Sequence, residues 1–511
     1  MSIDDPVVEH PLIGRTYELG LLRTIVESGK AEFIAVHGRR RVGKTFLIRR
    51  FFNDIGAKAF YVMGERDAGK SRQLALFQKS LETAFYGGER LPRLTTWSDA
   101  FEMLVAGVRQ QVRSEPSRPI LLFLDELPWL STPKAGLLSA IDHSWNTELS
   151  LIAQVKLVVC GSAASWMIRK VLQAKGGLFG RVTRTLALKP FCLAETRDFL
   201  LSRNYALSNQ QITELYMILG GIPYYLEQLQ RGRSVSQNVS ALCFGEGALA
   251  GEFDRLMHSL YEHAQSHISI LTALAARHSG LTRQEICGAT GISAGGRLDL
   301  WLDELEKSHF VARIDDFSRK RSSVRYRLVD EFTLFYLTWM KNSPGGVLGP
   351  DPSENYWGIV CGTPAHASWS GYAFENLCLK HLRQVKSALG IGGIVTSAGS
   401  WQYQAAGSRS TKQSVPSGEG ETELRGAQID LLLDRADGVI SMCEAKYAQK
   451  PFVVDKETAE ILERKIRTFK SVTATAKSIF LSIISPHGVA ANEHSRRLVS
   501  NVVTMDDLFR P

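Results

Sequence analysis

The sequence has no apolar stretch long enough to span a bilayer. Its opening, MSIDDPVVEHPLIGR, carries acids where a secretory leader needs a basic start and an apolar run. Membrane-spanning and secreted classes are therefore not expected, and the cytoplasm is the expected compartment. Cysteine is sparse: seven residues, an odd and scattered set without a CxxC pair, so neither a disulfide framework nor a zinc site is expected. No repeat of fixed period is present. Charge is not of one sign either, since 61 Lys and Arg against 52 Asp and Glu leave a net +9. That balance suits polyanionic partners such as DNA but needs a site to support it.

What is present is a chain of 511 residues, long enough for three or four domains, with an ordinary 44% of hydrophobic residues. Apolar runs without alternation, at Glu32–His37, Ala59–Met63, Ile120–Asp125, Val155–Cys160 and Arg184–Leu188, alternate with helical patterns. Runs of this kind predict strands buried on both faces of a parallel sheet, hence a three-layer α/β domain over 1–190. Helical signals over 191–255 suggest a lid packed on it. Over 256–340, three helices (His267–His278, Thr282–Thr290, Ala294–Ser308) and two short strands (Phe310–Ile314, Ser323–Val329) predict a winged helix. A linker marked by glycine and proline over 341–364 leads to an α/β domain at 365–511, interrupted by a Ser/Gly-rich stretch, Ala405 to Gly426, that reads as a mobile loop.

The most specific signal is Gly38-Arg39-Arg40-Arg41-Val42-Gly43-Lys44-Thr45, which fits G-x-x-x-x-G-K-[ST] between an apolar strand and an amphipathic run beginning at Phe46. Glycines let backbone N–H groups close around phosphates, and the helix that follows offers its positive end. Gly38, Arg41, Val42, Gly43, Lys44, Thr45 and Phe46 are the expected contacts to a nucleoside triphosphate, ATP, with Lys44 on the β- and γ-phosphates and Thr45 on Mg²⁺. Arg39, Arg40 and Arg41 fill the variable positions and are expected to face solvent or a neighbouring subunit. Downstream, Ile120-Leu121-Leu122-Phe123-Leu124 ends in Asp125-Glu126. There Asp125 would hold the metal shell, and Glu126 would orient or deprotonate the attacking water.

These motifs resemble the AAA+/STAND superfamily. Ile13-Gly14-Arg15 with Glu18-Leu19 looks like its opening box beside the adenine, and Val159-Cys160-Gly161-Ser162 like its sensor strand, with Ser162 near the γ-phosphate. Gly177-Leu178-Phe179-Gly180-Arg181 resembles the segment carrying an arginine finger, Arg181, with Arg184 as fallback; Gly220-Gly221-Ile222-Pro223 resembles the GxP motif of the lid, with Pro223 at the nucleotide. Together they are similar to the archaeal-type ATPases, whose winged helix precedes a nuclease-like domain. The resemblance implies a homo-oligomer, and a P-loop AAA+/STAND-like domain, helical lid, winged helix and restriction-endonuclease-like α/β domain in series.

In the last domain, Gln428-Ile429-Asp430-Leu431-Leu432-Leu433-Asp434 and Ser441-Met442-Cys443-Glu444-Ala445-Lys446-Tyr447 alternate with period two around Ala436-Asp437-Gly438. With those three residues as the loop and Gly438 left-handed, Arg435 pairs with Val439 and Asp430 comes opposite Glu444. Ile429, Leu431, Cys443 and Ala445 are expected to turn to the core. Facing carboxylates repel unless a cation lies between them, so Asp430 and Glu444 are candidate ligands of Mg²⁺ or Mn²⁺, with Lys446 activating water. This resembles the PD-(D/E)xK nuclease fold, in which Glu375 on the preceding helix matches the acid of the first helix. Lys465 reads as a solvated helix lysine, with an auxiliary site residue as the alternative.

The expected winged helix has an acidic third helix (Asp299, Asp303, Glu304, Glu306), which suits a DNA groove poorly. Its wing is basic, with Arg319, Lys320, Arg321, Arg325 and Arg327 around Tyr326 as candidate phosphate contacts. The combined expectation is an ATPase controlling a metal-dependent DNA nuclease, with defence against foreign DNA as its setting. The alternative is a signalling or scaffold ATPase whose nuclease-like domain only binds nucleic acid or a partner protein.

Overall fold

The computed structural model describes residues 11–173, 178, 180–315, 317, 324–341, 343, 356–403 and 426–510. Most of the Ser/Gly-rich loop, most of the linker, Arg319, Lys320, Arg321, Gly177 and Phe179 lie outside them. Contacts divide the chain into two units: one runs to Phe191 with Ile222–Glu227 and His258–Glu262, and the other comprises Cys192–Gly221, Gln228–Met257 and the residues from His263 onward.

The first unit is built on five parallel strands, β1 (Glu32–His37), β2 (Lys58–Met63), β3 (Ile120–Asp125), β4 (Val155–Gly161) and β5 (Arg184–Ala187), ordered β2-β3-β4-β1-β5. Every residue of β1, β3 and β4 is buried, which is why their sequences read as unbroken apolar runs. Phe33, Phe60, Phe77, Trp97 and Phe101 anchor the core between this sheet and the helices Lys70–Phe85 and Trp97–Ser114. Because β4 lies between β1 and β3, the loops after all three strands emerge side by side at the carboxyl edge of the sheet.

In the second unit, helices Ala264–Ala275, Arg283–Thr290 and Gly296–Lys307 accompany a small sheet ordered β6-β8-β7, where β6 is Leu281–Thr282, β7 Val311–Asp315 and β8 Val324–Leu328. A five-stranded sheet follows, ordered β13-β12-β11-β10-β9, with β9 Thr396–Tyr403, β10 Ala427–Arg435, β11 Val439–Ala445, β12 Ser478–Ile484 and β13 Val499–Val503. Helices Pro364–Lys380 and Lys456–Thr473 pack against it. The stretch read as a lid is split, since Ile222–Glu227 groups with the first unit and most of its helices with the second.

The hairpin β10–β11 turns at Gly438, whose φ of 84° is left-handed, and pairs Leu431 with Cys443 through Asp434 with Ile440. That is the register a three-residue loop dictates. The expected division of faces needs correction: Ile429 and Leu432 lie in one core cluster with Ile440, Met442, Leu462 and Phe469, while Leu431 and Cys443 are buried as well. A bulge in the pairing to β9, between Ile429 and Leu432, interrupts the alternation beside Asp430.

Candidate functional site

The loop after β1 closes on itself. Gly38 has φ 146°, and a Cβ there would lie 2.2 Å from the Leu188 carbonyl oxygen, so only glycine fits. Arg41 adopts φ 72° and Gly43 φ 91°, turning successive amides inward before the helix Lys44–Asp54 begins. Lys44 is buried, and its Nζ donates to the carbonyl oxygens of Gly38 and Arg39, each at 2.9 Å, and to Ser162 Oγ at 3.1 Å. Thr45 Oγ1 donates to Asp125 Oδ2 at 2.6 Å. Ser162 Oγ in turn donates to Glu126 Oε1 at 2.5 Å, and its amide to Glu126 Oε2 at 3.1 Å. One continuous network thus joins Lys44, Ser162 and Glu126, with the Thr45–Asp125 pair alongside.

The surroundings set the electrostatics. Burial and the neighbouring Asp125 push the Tyr61 hydroxyl far above its usual range, and Tyr61 donates to Asp125 Oδ2 at 3.3 Å. Burial, then the Lys44 charge, lowers His37. Arg15 laces the loop from outside the motif, donating to Lys189 O at 2.7 Å and Val42 O at 3.0 Å. Pro223 opens the short helix Pro223–Leu226, which brings Tyr224 under Arg41, 3.9 Å from guanidinium to ring centroid. Arg39 is 1% exposed, against the expectation that the three loop arginines face solvent or a neighbouring subunit; it reaches over Tyr225 instead, and Arg40 over Trp129. Arg181 is half-exposed and pairs with Asp142 at 3.3 Å. Val42 is buried and Phe46 half-buried at the start of the helix.

In the second unit Glu444 is fully buried, with Lys465 Nζ 2.7 Å from Oε1 and Lys446 Nζ 3.5 Å from Oε2. The reading of Lys465 as a solvated lysine is therefore corrected. Asp430 accepts from Gln428 Nε2 at 2.8 Å. Glu375 is paired with Arg327 at 2.9 Å; burial and the Asp430 charge push its carboxyl up to about 7 against the opposing Arg327. Among the described residues, no group of three or more His, Cys, Asp or Glu is arranged to hold a metal ion. Nor are the two described wing arginines turned outward: Arg327 is 3% exposed, and Arg325 donates to Gly280 O at 2.9 Å and pairs with Glu285. The acidic helix is likewise engaged, Asp299 with Arg283 and Glu304 with His267.

Tyr61 and Tyr224 were invisible as site residues, and the partners of Arg327 and Lys465 were not legible, because each reaches its partner from a different element. Arg327 lies 48 residues from Glu375 in the chain.

Residues 12–229 match a family described as an ATPase domain predominantly from Archaea. The chain is 26% identical over 334 residues to an uncharacterised protein, MJECL04, of Methanocaldococcus jannaschii, covering 64% of this chain and 68% of that one. Similar solved structures include the Walker-type ATPase PABY2304 of Pyrococcus abyssi (18% identity, 64% of this chain and 96% of that one, TM-score 0.47). The ORC2 protein of Aeropyrum pernix, in ADPNP–ADP complexes, is another (16% identity, 66% and 95%, TM-score 0.42). The N-terminal part of the chain is an ATP-binding P-loop ATPase domain, and no described helix is long and apolar enough to cross a membrane.

Proposed function

We propose that ATP bound at the P-loop controls a C-terminal nuclease-like domain that acts on DNA, in a homo-oligomer. The observation that carries the ATPase half is the Thr45–Asp125 pair beside the Lys44–Ser162–Glu126 network. A hydroxyl and a carboxylate 2.6 Å apart suit the shell of Mg²⁺, which would neutralise phosphate charge when bound. The Lys44 ammonium exchanges its bonds to the loop carbonyls for phosphate oxygens. Ser162, relieved of Lys44, follows the γ-phosphate, and Glu126 is then free to take a proton from the attacking water. Pro223 and Tyr224 close on the loop from the other side, and Arg181 serves as the finger once drawn away from Asp142.

What supports the nuclease half is Glu444, buried on a β-hairpin that also carries Asp430, with Lys446 and the helix residue Lys465 at its carboxylate. A second reading, a scaffold ATPase with an inactive C-terminal domain, is favoured by the internal pairing of all three acids. Cleavage of plasmid and oligonucleotide with Mg²⁺ or Mn²⁺ separates the two. Activity lost in both Lys44→Ala and Lys446→Ala supports control of a nuclease. Activity retained in Lys446→Ala removes the nuclease assignment, and indifference to Lys44→Ala and to ATP removes the coupling. A wild type that cleaves nothing favours the scaffold, unless the site is held closed.

A further inference from the structure

Each C-terminal acid meets a donor of the chain itself, and one of those donors comes from a different sheet. Arg327 lies in β8, yet its guanidinium is within 2.9 Å of Glu375 on the helix Pro364–Lys380. It lies over the Tyr372 ring, 4.6 Å from the centroid, and Tyr372 stacks in parallel on His278 with centroids 4.1 Å apart. Arg327 and Asp430 line the same small cleft, together with Ser279, Gln402 and Gln428. The guanidinium therefore stands beside two carboxylates, paired with Glu375 and sharing the cleft with Asp430, whose mutual repulsion it offsets. Close backbone packing secures this arrangement. The amide of Phe317, just after β7, donates to Ser400 O in β9 at 3.0 Å, and a Cβ on Gly399 would lie 2.6 Å from Asp315 O.

We propose that Arg327 is an internal cation that closes the carboxylate site, standing where a divalent ion would otherwise meet Glu375 and Asp430. The proposal rests on the nuclease-like reading of Glu375, Asp430 and Glu444. A guanidinium and a divalent ion compete for the same oxygens, and removing the first leaves carboxylates that a second cation can satisfy. The aromatic shelf of Tyr372 and His278 suits a flat guanidinium, so the closure is specific to arginine.

Mn²⁺ binding to the nucleotide-free full chain, read by the loss of the free-ion electron paramagnetic resonance signal, tests this without relying on cleavage. The variants are Arg327→Met, Gly399→Ser and the double variant Arg327→Met/Asp430→Asn. Gly399→Ser keeps Arg327 and Glu375 but forces β9 and the wing apart, so it decides the matter even if Arg327→Met fails to fold. The expected result is binding tightened about tenfold or more in both single variants and abolished in the double variant. Equal, tight binding by wild type and single variants overturns the closure while leaving the metal site standing. No binding by any variant overturns the nuclease-like reading and the closure with it.

Discussion

At the scale of single residues, the loop after β1 illustrates how one position is decided by a close approach. The Gly38 Cα faces the Leu188 carbonyl so closely that even alanine cannot be accommodated without moving backbone. Gly38→Ala is expected to cost about 1–3 kcal/mol and to abolish nucleotide binding, measurable together by thermal unfolding and nucleotide titration. Lys44→Ala should lower ATP hydrolysis about a hundredfold or more, because the charge that meets the phosphates is gone. Glu126→Gln should leave ATP binding intact while hydrolysis falls. Comparing single-turnover hydrolysis with equilibrium binding checks both, and weak ATP binding by Glu126→Gln would mean the carboxylate shapes the site rather than handling a proton.

At the scale of elements, the joint between helices Pro364–Lys380 and Leu382–Ala388 falls at His381. Its Nδ1 donates to Leu377 O at 2.9 Å, which leaves Nε2 as the acceptor for the Leu193 amide at 3.0 Å. Burial lowers its pKa to about 4 from 6.5, against smaller raising effects from Leu377 O and Glu331. The folded state thus prefers neutral imidazole, while the unfolded chain takes up a proton below about 6.5. The stability this contributes is complete above that value and is lost as pH falls toward about 4, a difference on the order of 3 kcal/mol. Urea midpoints at neutral and mildly acidic pH should show the loss in wild type and a smaller one in His381→Gln. An unchanged acid-side loss in the variant would mean that other groups carry it.

At the scale of the whole molecule, the open question is whether one subunit completes another. Arg181 is half-exposed and pairs with Asp142, an ion pair worth little, so moving it to a neighbour costs little. Mixing Lys44→Ala chains, which keep Arg181, with Arg181→Ala chains, which keep the P-loop, should restore hydrolysis that neither shows alone. A rate that stays at the sum of the two separate ones would place the finger within one chain or remove it.

How much was legible varies with the range of the interaction. The five strands of the first sheet were readable almost to the residue, most of all β1, β3 and β4, which are buried on both faces and must be apolar throughout. The register of β10 and β11 was readable because a tight turn propagates its geometry outward. The bulge beside Asp430 was not, since it arises in the pairing to β9 rather than to β11. The direction of Arg327 was not legible for a similar reason: composition showed an arginine, but only docking decided that it points inward to Glu375.

The sequence by itself determined the elements, the phosphate loop and the order of its acids, since these follow from periodicity, turn chemistry and spacing within one segment. Only the tertiary structure decided which polar group each cation meets. Lys465 with Glu444, Arg327 with Glu375 and Lys44 with Ser162 join residues from 21 to 118 positions apart. Pairings of that range are selected by the burial of the groups around them, where an unmatched charge is too costly to leave, and no local pattern records that choice.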